Sequence, residues 1–97
     1  MKSILLDESQ PQCYFTGRTD SLERHHIFRG ANRKKSEKFG LVVYLIKQLH
    51  DPACKGSVHN EPQGELNMTL LRAGQQAFER THGTREDFMR HFGRNWL

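Results

Sequence analysis

No stretch of this chain is long enough to span a bilayer, and its apolar run Leu41 to Ile46 has only the length of a strand. Near the start, Ile4-Leu5-Leu6 is cut short by Asp7-Glu8, which excludes a signal peptide and leads us to expect a cytoplasmic protein with no membrane partner. Cysteine is scarce. Cys13 and Cys54 are the only two, and without an export signal they are expected as thiols or metal ligands before a disulfide. No repeat, linker or low-complexity segment interrupts the chain, so residues 1–97 are expected to form one domain. Hydrophobic residues reach only 35 % of the 97, and a chain of this size buries roughly 60 to 65 % of its unfolded surface. The core must therefore be thin, and a bound ion or partner would help it fold.

Positive charge is plentiful but local. Arg18, Arg24, Arg29, Arg33, Lys34, Lys35 and Lys38 oppose Asp20, Glu23 and Glu37, so the whole net charge of +4 falls between residues 18 and 38. Such a stretch is either a solvated basic loop or the electrostatic footprint of a polyanion, for which nucleic acid is the usual partner.

The pattern along the chain predicts an α+β fold. Ser3 to Leu6 reads as a short strand, Cys13 to Gly17 as a knuckle or hairpin turn, and Leu22 to Phe28 as a strand carrying His25 and His26. Gly30 to Lys38 has no apolar period and reads as a loop. Leu41 to Ile46 is apolar and β-branched, the mark of a buried strand. Asp51-Pro52 and Gly56 leave at most one helical turn between Lys47 and His59. Leu66, Leu70, Ala73 and Ala77, widened by Leu71 and Phe78, give a helix with one apolar face that stops near Gly83. Thr84 and Asp87 form a capping-box signal for a second helix, whose apolar face is Phe88, Met89 and Phe92 and whose end is near Gly93. Trp96 and Leu97 are expected to pack back on the core.

The chemistry lies in the histidines. Adjacent residues on a strand face opposite ways, so His25 and His26 should have different roles unless local twist brings both to one cleft. A one-metal nuclease needs two such roles: an ion for the charge on the phosphorus centre and the leaving 3′ oxygen, and an imidazole that takes a proton from water. Histidine suits the second because its ordinary pKa lies near neutrality. His50 and His59 flank a turn-rich segment that could bring both rings to one point. Three imidazoles suit zinc or another transition ion better than magnesium. By spacing alone, the same three residues could be unrelated surface histidines. His82 and His91, at the ends of the two C-terminal helices, are expected to be structural. Cys54 is either an idle thiol or a fourth ligand.

Leu22-Glu23-Arg24-His25-His26-Ile27-Phe28, Gly30 to Glu37, the strand through Tyr44-Leu45, His50 to Val58-His59-Asn60, and the ending Phe92-Gly93-Arg94-Asn95-Trp96-Leu97 together resemble small HNH-type endonucleases of phages and prophages. The resemblance covers residues 13 to 97. It implies a ββα-metal (HNH-like) hairpin with two C-terminal α-helices, in a DNA endonuclease working in the cytoplasm of the host cell. It implies that His25, His50 and His59 bind one divalent ion (Mg, Mn, Ni or Zn) and that His26 is the general base. By the same analogy Arg29, Arg33, Lys34 and Lys35 would hold DNA phosphates.

The chain departs from the family pattern at three places. The CxxC zinc knuckle of many relatives is reduced to Cys13, with Thr16 and Ile46 where further cysteines are expected. The asparagine that opens the second strand is replaced by Gly40-Leu41, leaving Asn32, Asn60 or the backbone to orient His26. A His-His pair at the helix start is here Leu49-His50. These changes keep open a catalytically inactive phage protein that binds DNA or a host nucleic-acid enzyme, as a recombination factor or inhibitor. A zinc-stabilised interaction module is a third reading. A homodimer through the C-terminal helices is compatible with all of them.

Overall fold

Two β-branched or histidine-bearing segments pair as an antiparallel hairpin, and the computed structural model, which describes residues 2–97, places every other element around it. Strand β1 (Leu22–His26) pairs with β2 (Val42–Ile46), with Leu22 opposite Ile46, Arg24 opposite Tyr44, and His25 opposite Val43. In β2, Val42, Val43, Leu45 and Ile46 are buried, as a strand covered on both faces requires. Cys13 lies along the free edge of β2 as an isolated bridge to Tyr44, where the Tyr14 N–H donates to the Tyr44 carbonyl at 2.9 Å. The expected turn at Cys13 to Gly17 closes by a hydrogen bond from Gly17 N–H to the Cys13 carbonyl.

Ser3 to Leu6 does not form the expected strand. The Ser3 hydroxyl accepts from the Leu5 and Leu6 N–H groups at 3.1 and 3.2 Å, and donates to the Val42 carbonyl. A local side-chain turn therefore takes the donors that a ladder would need.

The expected basic loop is also ordered differently. A 3₁₀ turn at Gly30–Asn32 leads into helix α1 (Arg33–Lys38). Its arginine, lysines and glutamate are good helix formers, and Ser36 anchors it. The fully buried Ser36 hydroxyl donates to the Leu41 carbonyl at 2.6 Å and accepts from Phe28 N–H at 3.2 Å, tying the helix to the ends of both strands.

Helix α2 (Lys47–His50) follows β2 directly, and turns through Gly56 lead to α3 (Glu65–Thr81). α3 buries Leu70, Leu71, Ala77 and Phe78 as the apolar spacing predicts, together with the polar Asn67 and Gln75. Gly74 lets it approach the hairpin closely, because a Cβ there would lie 2.9 Å from Phe28 Cε2 and 3.0 Å from Ile27 Cγ2. Helix α4 (Arg85–Phe92) starts in the expected Thr84–Asp87 capping box and ends at Gly93, whose φ of 81° is left-handed. Phe88 and Phe92 stack on each other, and Phe28 meets Phe88 edge to face and Phe92 at a tilt. Met89, expected on this apolar face, is instead 42 % exposed, and Leu97 is 40 % exposed rather than packed back. Trp96 does pack against the core. The architecture is thus α+β, a two-stranded antiparallel sheet with four α-helices. Among the described residues, no helix is long and apolar enough to cross a membrane.

Candidate functional site

β1 presents its two histidines differently, as strand geometry demands. His25 is 1 % exposed, and His26 is half-buried. Both still line one cleft of about 290 Å³, together with Arg24, Arg29, Arg33, His50 and His59. His50 is the last residue of α2. The segment after it folds back because Val58 N–H donates to the Leu49 carbonyl at 2.9 Å, while the Ser57 hydroxyl bonds the Asp51 carbonyl at 2.6 Å. His59 is thereby carried beside His50.

His25, His50 and His59 each offer a ring nitrogen, and these nitrogens lie within 4.8 Å of one another, close enough to hold a metal ion. The ring centroids are 4.5 to 5.2 Å apart, and His59 Nε2 is 3.0 Å from His50 Nε2. His25 Nε2 is buried without a hydrogen-bond partner. Such an orphaned nitrogen is the feature a metal ligand leaves in an ion-free structure. Burial, then the neighbouring His50, His59, Arg29 and His26, push the His25 pKa down to about 3, so its ring is neutral and able to ligate. Burial and Arg29 also lower His59. Cys54 lies outside this cluster and is free, as is the buried Cys13.

The polar partners of the rings follow from chemistry. Glu23 Oε1 is 2.7 Å from His50 Nδ1, so the proton of the neutral ring sits on Nδ1 and the Nε2 lone pair turns inward. Arg29 meets His59 at Nδ1. A guanidinium can only donate, so Nδ1 is the acceptor there and the His59 proton lies on Nε2, towards His50. Arg29, His59, His50 and Glu23 thus form one chain of donors and acceptors.

His26 has a separate partner. Glu37 Oε2 lies 2.7 Å from His26 Nε2, and the Arg24 guanidinium bonds the same oxygen. Arg24 first, then His26, hold the Glu37 pKa at about 2, so the carboxylate is ionised and accepts. In the neutral His26 ring the proton is therefore on Nε2 and the lone pair on Nδ1, where Arg33 Nε approaches at 3.4 Å. Neither asparagine expected to orient this ring does so. The Asn32 amide donates to the Phe92 carbonyl and the Asn60 amide to the Pro52 carbonyl.

Of the four basic residues expected to hold phosphates, Arg29 and Arg33 line the cleft. Lys34 is exposed outside it, and Lys35 Nζ donates to the His91 carbonyl at 2.6 Å, at the end of α4. Arg24, Glu23 and Glu37 are the site residues that sequence reasoning missed. Glu23 lies two residues before His25 and Arg24 two before His26 on β1, and carried that signal weakly; Glu37 arrives only because residues 33–38 are helical. His82 and His91, expected to be structural, are half-buried and packed on Phe39, with His82 Nε2 at 2.7 Å from the Phe39 carbonyl.

Searches against protein-family models, curated proteins and solved structures returned no match.

Proposed function

We propose that this chain is a metal-dependent DNA endonuclease of the phage HNH, or ββα-metal, class. The observation that carries the reading is the cluster of three imidazoles, His25, His50 and His59, in the same arginine-lined cleft as a fourth, His26, whose remote nitrogen is held by a carboxylate. The antiparallel pairing of β1 with β2, and the direct passage of β2 into the short helix α2 that ends on His50, are in keeping with it.

The residues present fit a divalent ion. His25, His50 and His59 would hold it, and three nitrogen donors favour a transition ion over magnesium. Once bound, the ion supplies Lewis-acid stabilisation of the charge on the phosphodiester and its leaving 3′ oxygen. His26 takes the proton of the attacking water at Nδ1, and Glu37, bonded to Nε2, steadies the imidazolium that results. Arg29 and Arg33 pair with the phosphate oxygens. The water oxygen bonds to phosphorus, the bond to the 3′ oxygen breaks, and the departing oxygen is protonated from solvent.

A DNA-binding protein without turnover is the second reading, favoured by the contact of Arg29 with a ligand nitrogen. Nicking of supercoiled plasmid across Mg²⁺, Mn²⁺, Ni²⁺ and Zn²⁺ separates the two. The expected result is metal-dependent nicking that His26→Ala lowers roughly a hundredfold or more while DNA affinity is kept. A folded protein that retards DNA but nicks with no ion would overturn the nuclease reading in favour of the binding one.

A further inference from the structure

A larger cavity, of about 610 Å³, opens on the other side of Arg29, which lines it and the metal cleft alike. Its volume lies in the range of small-molecule pockets and exceeds what a single base requires. The walls combine flat apolar surface with amides: Phe28, Phe92 and Trp96 on one hand, Asn32, Gln63 and Asn67 on the other.

Two features point to a ligand. Asn67 is 3 % exposed, and its Nδ2 donates to the Pro62 carbonyl at 2.7 Å, yet its Oδ1 is buried with no partner. A native interior rarely leaves such an acceptor unmet, and here it belongs to a wall of the cavity. Trp96, in turn, is fixed from behind. The fully buried Gln75 accepts from the Trp96 N–H at 2.7 Å and donates to Asn95 at 2.8 Å, so a buried side chain of α3 holds the tail that carries the indole. The Arg94 guanidinium already lies over that indole, 4.1 Å from the ring centre. The cavity therefore has a positioned aromatic ring, on which a base would take the place of the Arg94 guanidinium, and an acceptor in want of a donor.

We infer that this cavity receives an unpaired nucleobase of the strand whose phosphate occupies the metal cleft. The inference rests on the nuclease reading for its orientation and names the substrate class: single-stranded or locally unpaired DNA. A base in regular duplex is stacked and paired, and reaching this cavity would cost it that stacking; an unpaired base has no such cost. Arg29 sets the register, since this one residue borders both the phosphate side and the base side. The Asn67 Oδ1 acceptor suits a base edge that donates, such as the exocyclic amine of adenine.

Trp96 is the only tryptophan, so its fluorescence reports on the cavity directly. The test uses the full chain in chelator, where no cleavage intrudes, titrated with three probes. These are an oligodeoxyadenylate of about a dozen nucleotides, an abasic strand of equal length and the matched duplex. The expected result is quenching by the oligodeoxyadenylate alone, with the abasic strand and the duplex bound roughly tenfold or more weakly. Asn67→Leu should weaken the oligodeoxyadenylate several-fold and leave the abasic strand unchanged. Should that variant fail to fold, Trp96→Leu, read by anisotropy of labelled strands, should erase the difference between the base-bearing and abasic probes. Equal affinity for the oligodeoxyadenylate and abasic strands, with Trp96 fluorescence unmoved, would overturn the base site even if plasmid nicking succeeds. Quenching by the oligodeoxyadenylate alone, in a protein that nicks with no ion, would leave the base site standing and remove the nuclease reading.

Discussion

Glu23 and Glu37 touch histidines in the same manner, a carboxylate oxygen 2.7 Å from a ring nitrogen, yet the proposed function gives the two rings different tasks. Glu23 fixes the tautomer of His50, a candidate ligand, so Glu23→Gln should lower metal affinity about 10- to 100-fold in a competition titration. Glu37 acts on His26, outside the ligand set. On the nuclease reading, Glu37→Gln should leave metal affinity unchanged and lower kcat roughly 10- to 100-fold at constant KM. A variant that moved both quantities together would contradict this division of labour. The histidines were legible in the sequence because their residue type announces their chemistry. The carboxylates were not, since glutamate is common on any surface and only the fold decides which one meets a ring. Lys35 shows the converse: it belongs to the basic run, but the carbonyl at the end of α4 claims it.

Among the elements, α3 and α4 were legible from apolar spacing and a capping box, β2 from its β-branched run, and β1 from the apolar and branched character of Leu22 to Phe28. α1 was not, because its only buried side chain is a serine and no apolar period betrays it. The close seat of α3 on the hairpin was equally hidden, since a glycine in a helix gives no sign of what it faces. Helix propensity alone would have Gly74→Ala stabilise the protein by about 1 kcal/mol. The new methyl would instead press on Phe28 and Ile27, and overpacking costs about 1 to 3 kcal/mol. Gly74→Ala is therefore expected to lower the urea midpoint at unchanged slope. Because Ile27 and Phe28 follow His26 directly, metal affinity should fall with it; a higher midpoint would show that the hairpin yields freely.

For the whole molecule, the buried histidine ties stability to pH. In the folded chain the His25 pKa is about 3, against 6.5 for the ordinary side chain, because burial disfavours its charge. Below pH 6.5 the unfolded chain takes up a proton that the folded one refuses. Stability is thus full above pH 6.5 and is lost as pH falls towards 3, by about 1.4 kcal/mol per pH unit. His59, also lowered, adds to the loss with the same sign. Glu37, at about 2 against 4.5, contributes only below pH 4.5, so the window from pH 6.5 to 4.5 isolates the histidines. Urea unfolding in chelator at pH 7, 6 and 5 should trace this slope, and stability independent of pH there would refute it. Arg29 donates to a nitrogen of His59, and a ring that ligates through its other nitrogen must carry its proton at that same place. Guanidinium and cation are then rivals for one imidazole. A phosphate that draws Arg29 away makes His59 a better ligand, and an ion that claims His59 releases Arg29 for phosphate. On the nuclease reading, reciprocity then requires each to tighten the binding of the other, which would make the cleft a coincidence detector for ion and nucleic acid.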